Sequence, residues 1–124
     1  MRAVSAIIIV ILLNVVFVPS VLAQDCDEDV SEKAKKLIEK AKDRRKYDKA
    51  KRLEFLRDAL DEEEDYAEAN FMLAIEIIKT QRSKGGSYKT AATYLERVKR
   101  LCPDFHSVVY YYLGAIYLGQ KEFA

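Results

Sequence analysis

Apolar residues recur along most of this chain at intervals of three and four, the spacing that lines one face of an α-helix. The pattern is clearest over residues 88–117. There Ala91, Leu95 and Val98 form one stripe, and Tyr110, Leu113, Gly114 and Tyr117 form another. Pro103 ends the first segment, because proline has no N–H to give a helix interior. Gly114 falls where a neighbouring backbone would need room to approach. Two short antiparallel helices joined by a tight turn are the expected outcome.

Upstream, Ser31 is placed to cap a helix, with Glu32 favourable in its first turn and Ala34, Leu37, Ile38 and Ala41 as its apolar stripe. Tyr47 and Ala50 open the next segment, and Leu53, Leu56 and Leu60 carry its stripe as a lengthened second helix. Residues 62–65 are acidic and break the pattern. A helix over 67–81 then presents Phe71, Leu73, Ala74, Ile77 and Ile78. It is apolar over more than half its circumference, which suits a helix held between neighbours. Residues 82–87, RSKGGS, read as a loop of turn formers, longer than such a connection needs.

These spacings resemble the tetratricopeptide repeat (TPR). Its pattern sets an aromatic, then Leu-Gly after two residues, then Tyr after two more, followed by Ala, a large residue four further on and a closing Pro. Ala91, Leu95 and Pro103 match the second half of a repeat, and Tyr110, Leu113, Gly114 and Tyr117 match the first half of the next. Asn70, Leu73, Ala74 and Ile77 hold the first-half spacing once more, with Asn in the aromatic place and Ala in the Gly place. The resemblance implies an all-α fold, a TPR-like α-solenoid of antiparallel helix pairs over residues 31–124, with about two and a half repeats. Phe123 falls where an aromatic opens the second helix of a repeat, so the third repeat is truncated and leaves an apolar flank on its first helix. That predicts either the N-terminal piece of a longer protein or, if the chain is complete, a homodimer through the flank.

Residues 1–23 read as a signal peptide: Arg2 supplies the positive start, residues 7–18 are apolar apart from Asn14, and Val21-Leu22-Ala23 is a small-residue cleavage site. The apolar run is shorter than the roughly 20 residues of a spanning helix, so export with cleavage after Ala23 is expected, followed by a short tail over 24–30. Cys26 has Asp25 before it and Ala23 three before it, which argues against lipidation there. The remaining hundred or so residues make one small domain. Charge is nearly balanced, with 21 Lys and Arg against 20 Asp and Glu, which removes any global argument for nucleic acid. Locally it is uneven. Residues 33–57 hold twelve Lys or Arg and four acids, and residues 58–68 hold seven acids and no base. A solvated face explains this, and a dipolar surface that steers a partner is the sharper reading.

The leader ending in QDC, the KYDKAKR and EEEDYAEANFMLA stretches and LCPDFHSVVYYYLGAIYLG together look like the N-terminal TPR segment of large bacterial cell-envelope proteins. In those proteins the repeats precede a WD40-like β-propeller and an OmpA-like peptidoglycan-binding domain, and some members serve type IX secretion. Neither domain falls within these 124 residues, so peptidoglycan binding is not carried over.

Two cysteines in an exported chain invite pairing. Cys26 precedes the first helix and Cys102 ends the fourth. In stacked hairpins these ends share an edge, so either a Cys26–Cys102 bridge or two free thiols is open. Chemistry is otherwise sparse. His106 is the only histidine and sits in a turn, with no Ser-His-Asp or Cys-His spacing around it. A capping or packing role is expected of it, with a small exported hydrolase as the remote alternative. Neither zinc nor haem spacing is present, and Gly85-Gly86 lacks the Lys-Ser/Thr of a phosphate loop, so no cofactor or metal is expected. A partner-binding groove is expected along the concave side, from Lys35, Glu39 and Lys42 of the first helix, Phe71, Ile75 and Ile78 of the third and Tyr111 of the last. Basic and aromatic residues together suit an acidic peptide. The reading is a non-catalytic scaffold of the periplasm or outer-membrane periphery, with a structural spacer as its alternative.

Overall fold

The computed structural model describes residues 26–122. The expected leader over 1–23 and the expected helix opener Phe123 lie outside the described residues. Among the described residues the protein is all-α, with five helices: α1 (Glu32–Lys42), α2 (Lys49–Glu62), α3 (Ala67–Lys84), α4 (Lys89–Leu101) and α5 (Ser107–Glu122). Every connection is short, which folds each helix back on the one before it. Packing is closest within the pairs α1/α2 and α3/α4, while α2/α3 and α4/α5 touch less extensively. No described helix is long and apolar enough to cross a membrane.

Two apolar clusters follow from the stripes. Ala34, Ile38 and Ala41 of α1 meet Phe55, Leu56 and Ala59 of α2, with Tyr66 and Ala69 closing that cluster. Ala74 and Ile78 of α3, Ala91, Ala92, Leu95 and Val98 of α4 and Val109, Leu113 and Ile116 of α5 make the second. Helix α3 contributes to both, so it lies between neighbours on opposite faces. Complete burial of a side chain such as Ile38 or Leu95 stabilises by roughly 1.5–3 kcal/mol.

The helix ends obey local chemistry. Ser31 caps α1, its hydroxyl accepting from the Ala34 N–H at 3.2 Å. Asp48, not Tyr47, caps α2 by accepting from Lys51 N–H at 2.8 Å, and Tyr47 instead meets the Phe55 ring edge-on with centroids 4.8 Å apart. Ala50 is exposed, and Phe55 and Ala59 take the buried places beside Leu56. Helix α3 runs to Lys84, beyond the expected stop at Gln81. Arg82, Ser83 and Lys84 are acceptable helix residues, and the chain turns only at Gly85, which adopts the left-handed conformation with φ 67°. The Gly86 N–H then donates back to the Gln81 carbonyl at 3.1 Å, the closing bond of a Schellman turn. The extra residues of RSKGGS therefore extend a helix, and the loop is only 85–88.

The N-terminal edge is tied down. Cys26 and Cys102 form a disulfide, with Cα atoms 5.7 Å apart. Next to it, Asp27 reaches the start of α3. Tyr66, at the cap position, makes no side-chain capping bond, and the Asp27 carboxylate accepts from the N–H groups of Ala67 at 2.8 Å and Glu68 at 3.0 Å. A carboxylate at a helix N-terminus is favoured both by the free N–H groups and by the helix dipole, typically by about 1 kcal/mol. Glu63 adds a link by accepting from Ser31 N–H at 3.2 Å.

Candidate functional site

Where α1 ends, α2 begins and α3 passes beneath them, a cavity of about 280 Å³ opens. Its apolar wall is Leu53, Leu56, Phe71, Met72 and Ile75, presented by α2 and α3 at helical spacing. Its polar rim holds five cations, Lys42, Arg44, Lys49, Arg52 and Lys79, and a single acid, Glu76.

The five cations differ in how far the protein satisfies them. Lys42 pairs with Glu68 and Glu39. Partial burial pulls its ammonium down, but those carboxylates outweigh the burial and hold it above the ordinary 10.5. Lys79 pairs with Glu76 at 3.2 Å, and Lys49 donates to the Thr80 hydroxyl at 3.3 Å. The guanidiniums of Arg44 and Arg52 have no ion pair or hydrogen bond among the described residues. Most telling is Arg52 Nε, which is shut away from water without a protein acceptor. A donor left unmet on a charged group costs about 1–3 kcal/mol or more.

Of the seven residues expected in a groove, three meet here. Lys42, Phe71 and Ile75 line the cavity together. Phe71 is also braced from behind by Phe105, with ring centroids 5.2 Å apart. Lys35 and Glu39 do not line it; Lys35 pairs with Glu32 at 3.6 Å and Glu39 with Lys42 at 3.3 Å along the same helix. Ile78 belongs to the core and borders a second, wider cavity of about 730 Å³ between the end of α3 and α5, walled by Tyr88, Tyr112 and Ile116. Tyr111 lines neither cavity. It stands 71% exposed on α5, its ring edge against Tyr112 with centroids 5.5 Å apart. The residues that sequence reasoning passed over, Arg44, Lys49, Arg52 and Lys79, lie mostly in the basic block over 33–57; the α1–α2 turn is what gathers them.

The repeat-signature residues divide in the same way. Leu73, Ala74, Ala91, Leu95 and Leu113 are buried. Pro103 is an exposed helix stop whose carbonyl accepts from the Tyr110 hydroxyl at 2.8 Å. Tyr110 and Tyr117 are 48% and 42% exposed, and a Cβ added at Gly114 would meet nothing within 4 Å. The backbone approach expected at Gly114 is therefore not made by any described residue. His106 is exposed, and its Nδ1 accepts from Val108 N–H at 3.0 Å, which caps α5. Among the described residues no group of three or more His, Cys, Asp and Glu is arranged to hold a metal. In comparison with known proteins, no family model matches the chain, and no curated sequence or solved structure matches it.

Proposed function

We propose that this protein is a non-catalytic binding scaffold that takes an acidic peptide segment of a protein partner into the cavity between α1, α2 and α3. The observation that carries the reading is the cavity rim, five cations against a single acid above an apolar floor, with Arg44 and Arg52 making no ion pair among the described residues. A carboxylate of the incoming segment satisfies the guanidiniums of Arg52 and Arg44, and an adjacent apolar side chain settles against Phe71, Leu53 and Ile75. Charge-assisted bonds supply direction and the apolar floor supplies affinity. Lys42, Lys49 and Lys79 extend the positive field and speed encounter. The resemblance to TPR modules supports a scaffold role, as does the engagement of the sole histidine in capping a helix. Placement in the bacterial envelope, in association with a secretion complex, rests on the leader-like pattern over 1–23 and on the Cys26–Cys102 bridge, which suits an oxidising compartment.

The test is calorimetric titration of the protein with a Glu-rich peptide carrying interspersed Leu and Phe, and with the same peptide in which Lys replaces Glu. Binding is expected for the first alone, and it should weaken as salt is raised. Arg52→Met should lower affinity at least about tenfold while leaving stability unchanged or improved, because it removes an unsatisfied buried donor but keeps the bulk. Equal binding of both peptides, or indifference to Arg52→Met, would remove the proposal.

A further inference from the structure

Four large apolar side chains are well exposed among the described residues, and all four stand on α5: Tyr110, Tyr111, Tyr117 and Leu118. With Gly114 between them, they occupy an arc of roughly 120° at 100° per residue. Residues 107–120 carry no Asp, Glu, Lys or Arg, in a chain that is 33% charged. The face is thus neutral, apolar and uncovered.

The molecule itself shows how such a face is treated elsewhere. Helix α3 repeats the spacing of α5 forty residues earlier, as Asn70, Leu73, Ala74 and Ile77 against Tyr110, Leu113, Gly114 and Tyr117. On α3 the positions equivalent to Tyr110, Gly114 and Leu118 are Asn70, Ala74 and Ile78, and all three are buried. Helix α4 packs on that helix, and Ala74 and Ile78 share its cluster. On α5 nothing described does the same.

We propose that a second copy of this chain covers the α5 face, in an antiparallel two-fold pairing centred on Gly114. The face is symmetric about that glycine: Tyr110 and Leu118 stand four residues to either side, Tyr111 and Tyr117 three. A two-fold axis through Gly114 therefore sets Tyr110 on Leu118 of the partner subunit and Tyr111 on Tyr117 of the partner subunit. A two-fold interface requires this self-complementarity. Gly114 has open space where a Cβ would stand, so the two backbones can approach at the axis. A face without charge meets its own copy without repulsion. Two of the tyrosines already have their polar ends engaged, since Tyr110 donates to Pro103 at 2.8 Å and Tyr117 to Glu96 at 2.6 Å, so burying those rings strands no hydroxyl. The four side chains offer on the order of 400 Å² per copy, against about 800 Å² per partner in a standard interface, so the dimer is a weak and reversible one.

Sedimentation equilibrium of the purified protein over a wide concentration range tests this. A monomer–dimer equilibrium is expected, and Leu118→Asp should raise its dissociation constant by more than about tenfold with helicity unchanged. Gly114→Cys should cross-link into a dimer on mild oxidation, while Thr93→Cys, exposed on α4, should not. A monomer at every concentration, a dimer indifferent to Leu118→Asp, or equal cross-linking at 93 and 114 would overturn the proposal. So would a monomer that takes up a peptide of residues 89–101 on this face, because the occupant would then be a helix of the α4 kind.

Discussion

Helices α3 and α5 share one spacing and have different surroundings. Val109 and Leu113 of α5 are buried, as are Ala69 and Leu73 at the same positions of α3. The other flank diverges: Asn70, Ala74 and Ile78 are closed over, whereas Tyr110, Gly114 and Leu118 are open. Polar chemistry follows the difference. Asn70 is wholly buried and fully employed, its amide donating to the carbonyls of Glu64 at 2.9 Å and Tyr66 at 2.8 Å. Tyr110, in the equivalent place, donates to a single carbonyl at the surface. A helical spacing thus marks which residues are fit to be covered, and the neighbours decide whether they are.

The N-terminal ends of the two helices differ as well, and breaking that difference should give the largest effect. Helix α3 is capped by Asp27 from a strap held by the disulfide, whereas α5 is capped by its own preceding residue, His106. Cys26 and Cys102 are 76 residues apart in sequence. Closing a loop of that length stabilises by about 4 kcal/mol on the chain-entropy account. Cys26→Ser with Cys102→Ser, or reduction, should therefore remove about that much in urea denaturation. It should also raise hydrogen exchange at the amides of Ala67 and Glu68 well before those of Leu95. Exchange that rises evenly through α3 and α4 would show that the strap does not act through the Asp27 cap.

A smaller effect should separate the two flanks directly. Ala74 has no exposed surface, so Ala74→Leu must force the α3/α4 contact apart and should cost about 1–3 kcal/mol. Gly114, at the matching place, has open space around it. Gly114→Ala should there raise stability by up to about 1 kcal/mol through helix propensity alone. Thermal or urea midpoints of the two variants should move in opposite directions. A loss at Gly114→Ala in monomeric protein would mean that something occupies that space.

Much of this was legible in the residues. The stripes of α1 and α4 and the Ser31 cap follow from local spacing, which acts over three or four residues and needs no partner, whereas the shared edge of Cys26 and Cys102 follows from stacking the hairpins, which leaves open whether the two pair. What escaped depends on contacts between distant segments. The cap of α3 comes from Asp27, forty residues away in sequence. The cavity rim is gathered by the α1–α2 turn, so a groove sought on α1, α3 and α5 omitted Lys49 and Arg52 of α2. Spacing likewise admitted Tyr110, Gly114 and Tyr117 to a packing stripe, although the buried stripe of α5 runs through Val109, Leu113 and Ile116, shifted by one position. The end of α3 differs from its expected place for a local reason: RSKGGS reads as a loop, but only the first glycine is needed to stop the helix.

The smallest effect lies where α5 is fastened to α4. Ile77 of α3 is packed against apolar neighbours, and at the same position of α5 the Tyr117 hydroxyl donates to the Glu96 carboxylate at 2.6 Å. The hydrogen bond from Tyr117, aided by Lys99 and opposed by slight burial, holds Glu96 below its ordinary 4.5. The same bond, with slight burial, holds the Tyr117 phenol above its ordinary 10.0. A carboxylate whose pKa is lowered on folding adds stability above its unfolded value, and that stability is lost as pH falls through the lowered one. A phenol whose pKa is raised adds stability below its unfolded value, and that is lost as pH rises through the raised one. The bond therefore contributes between about pH 4.5 and pH 10 and fades at both ends. Both groups are largely solvated, so screening limits the contribution to about 0.5 kcal/mol. The difference in urea midpoint between the protein and Tyr117→Phe should be flat across that window and shrink both as pH falls below 4.5 and as it rises above 10. A difference that persists unchanged into acid would show that the hydroxyl is held by a group other than Glu96.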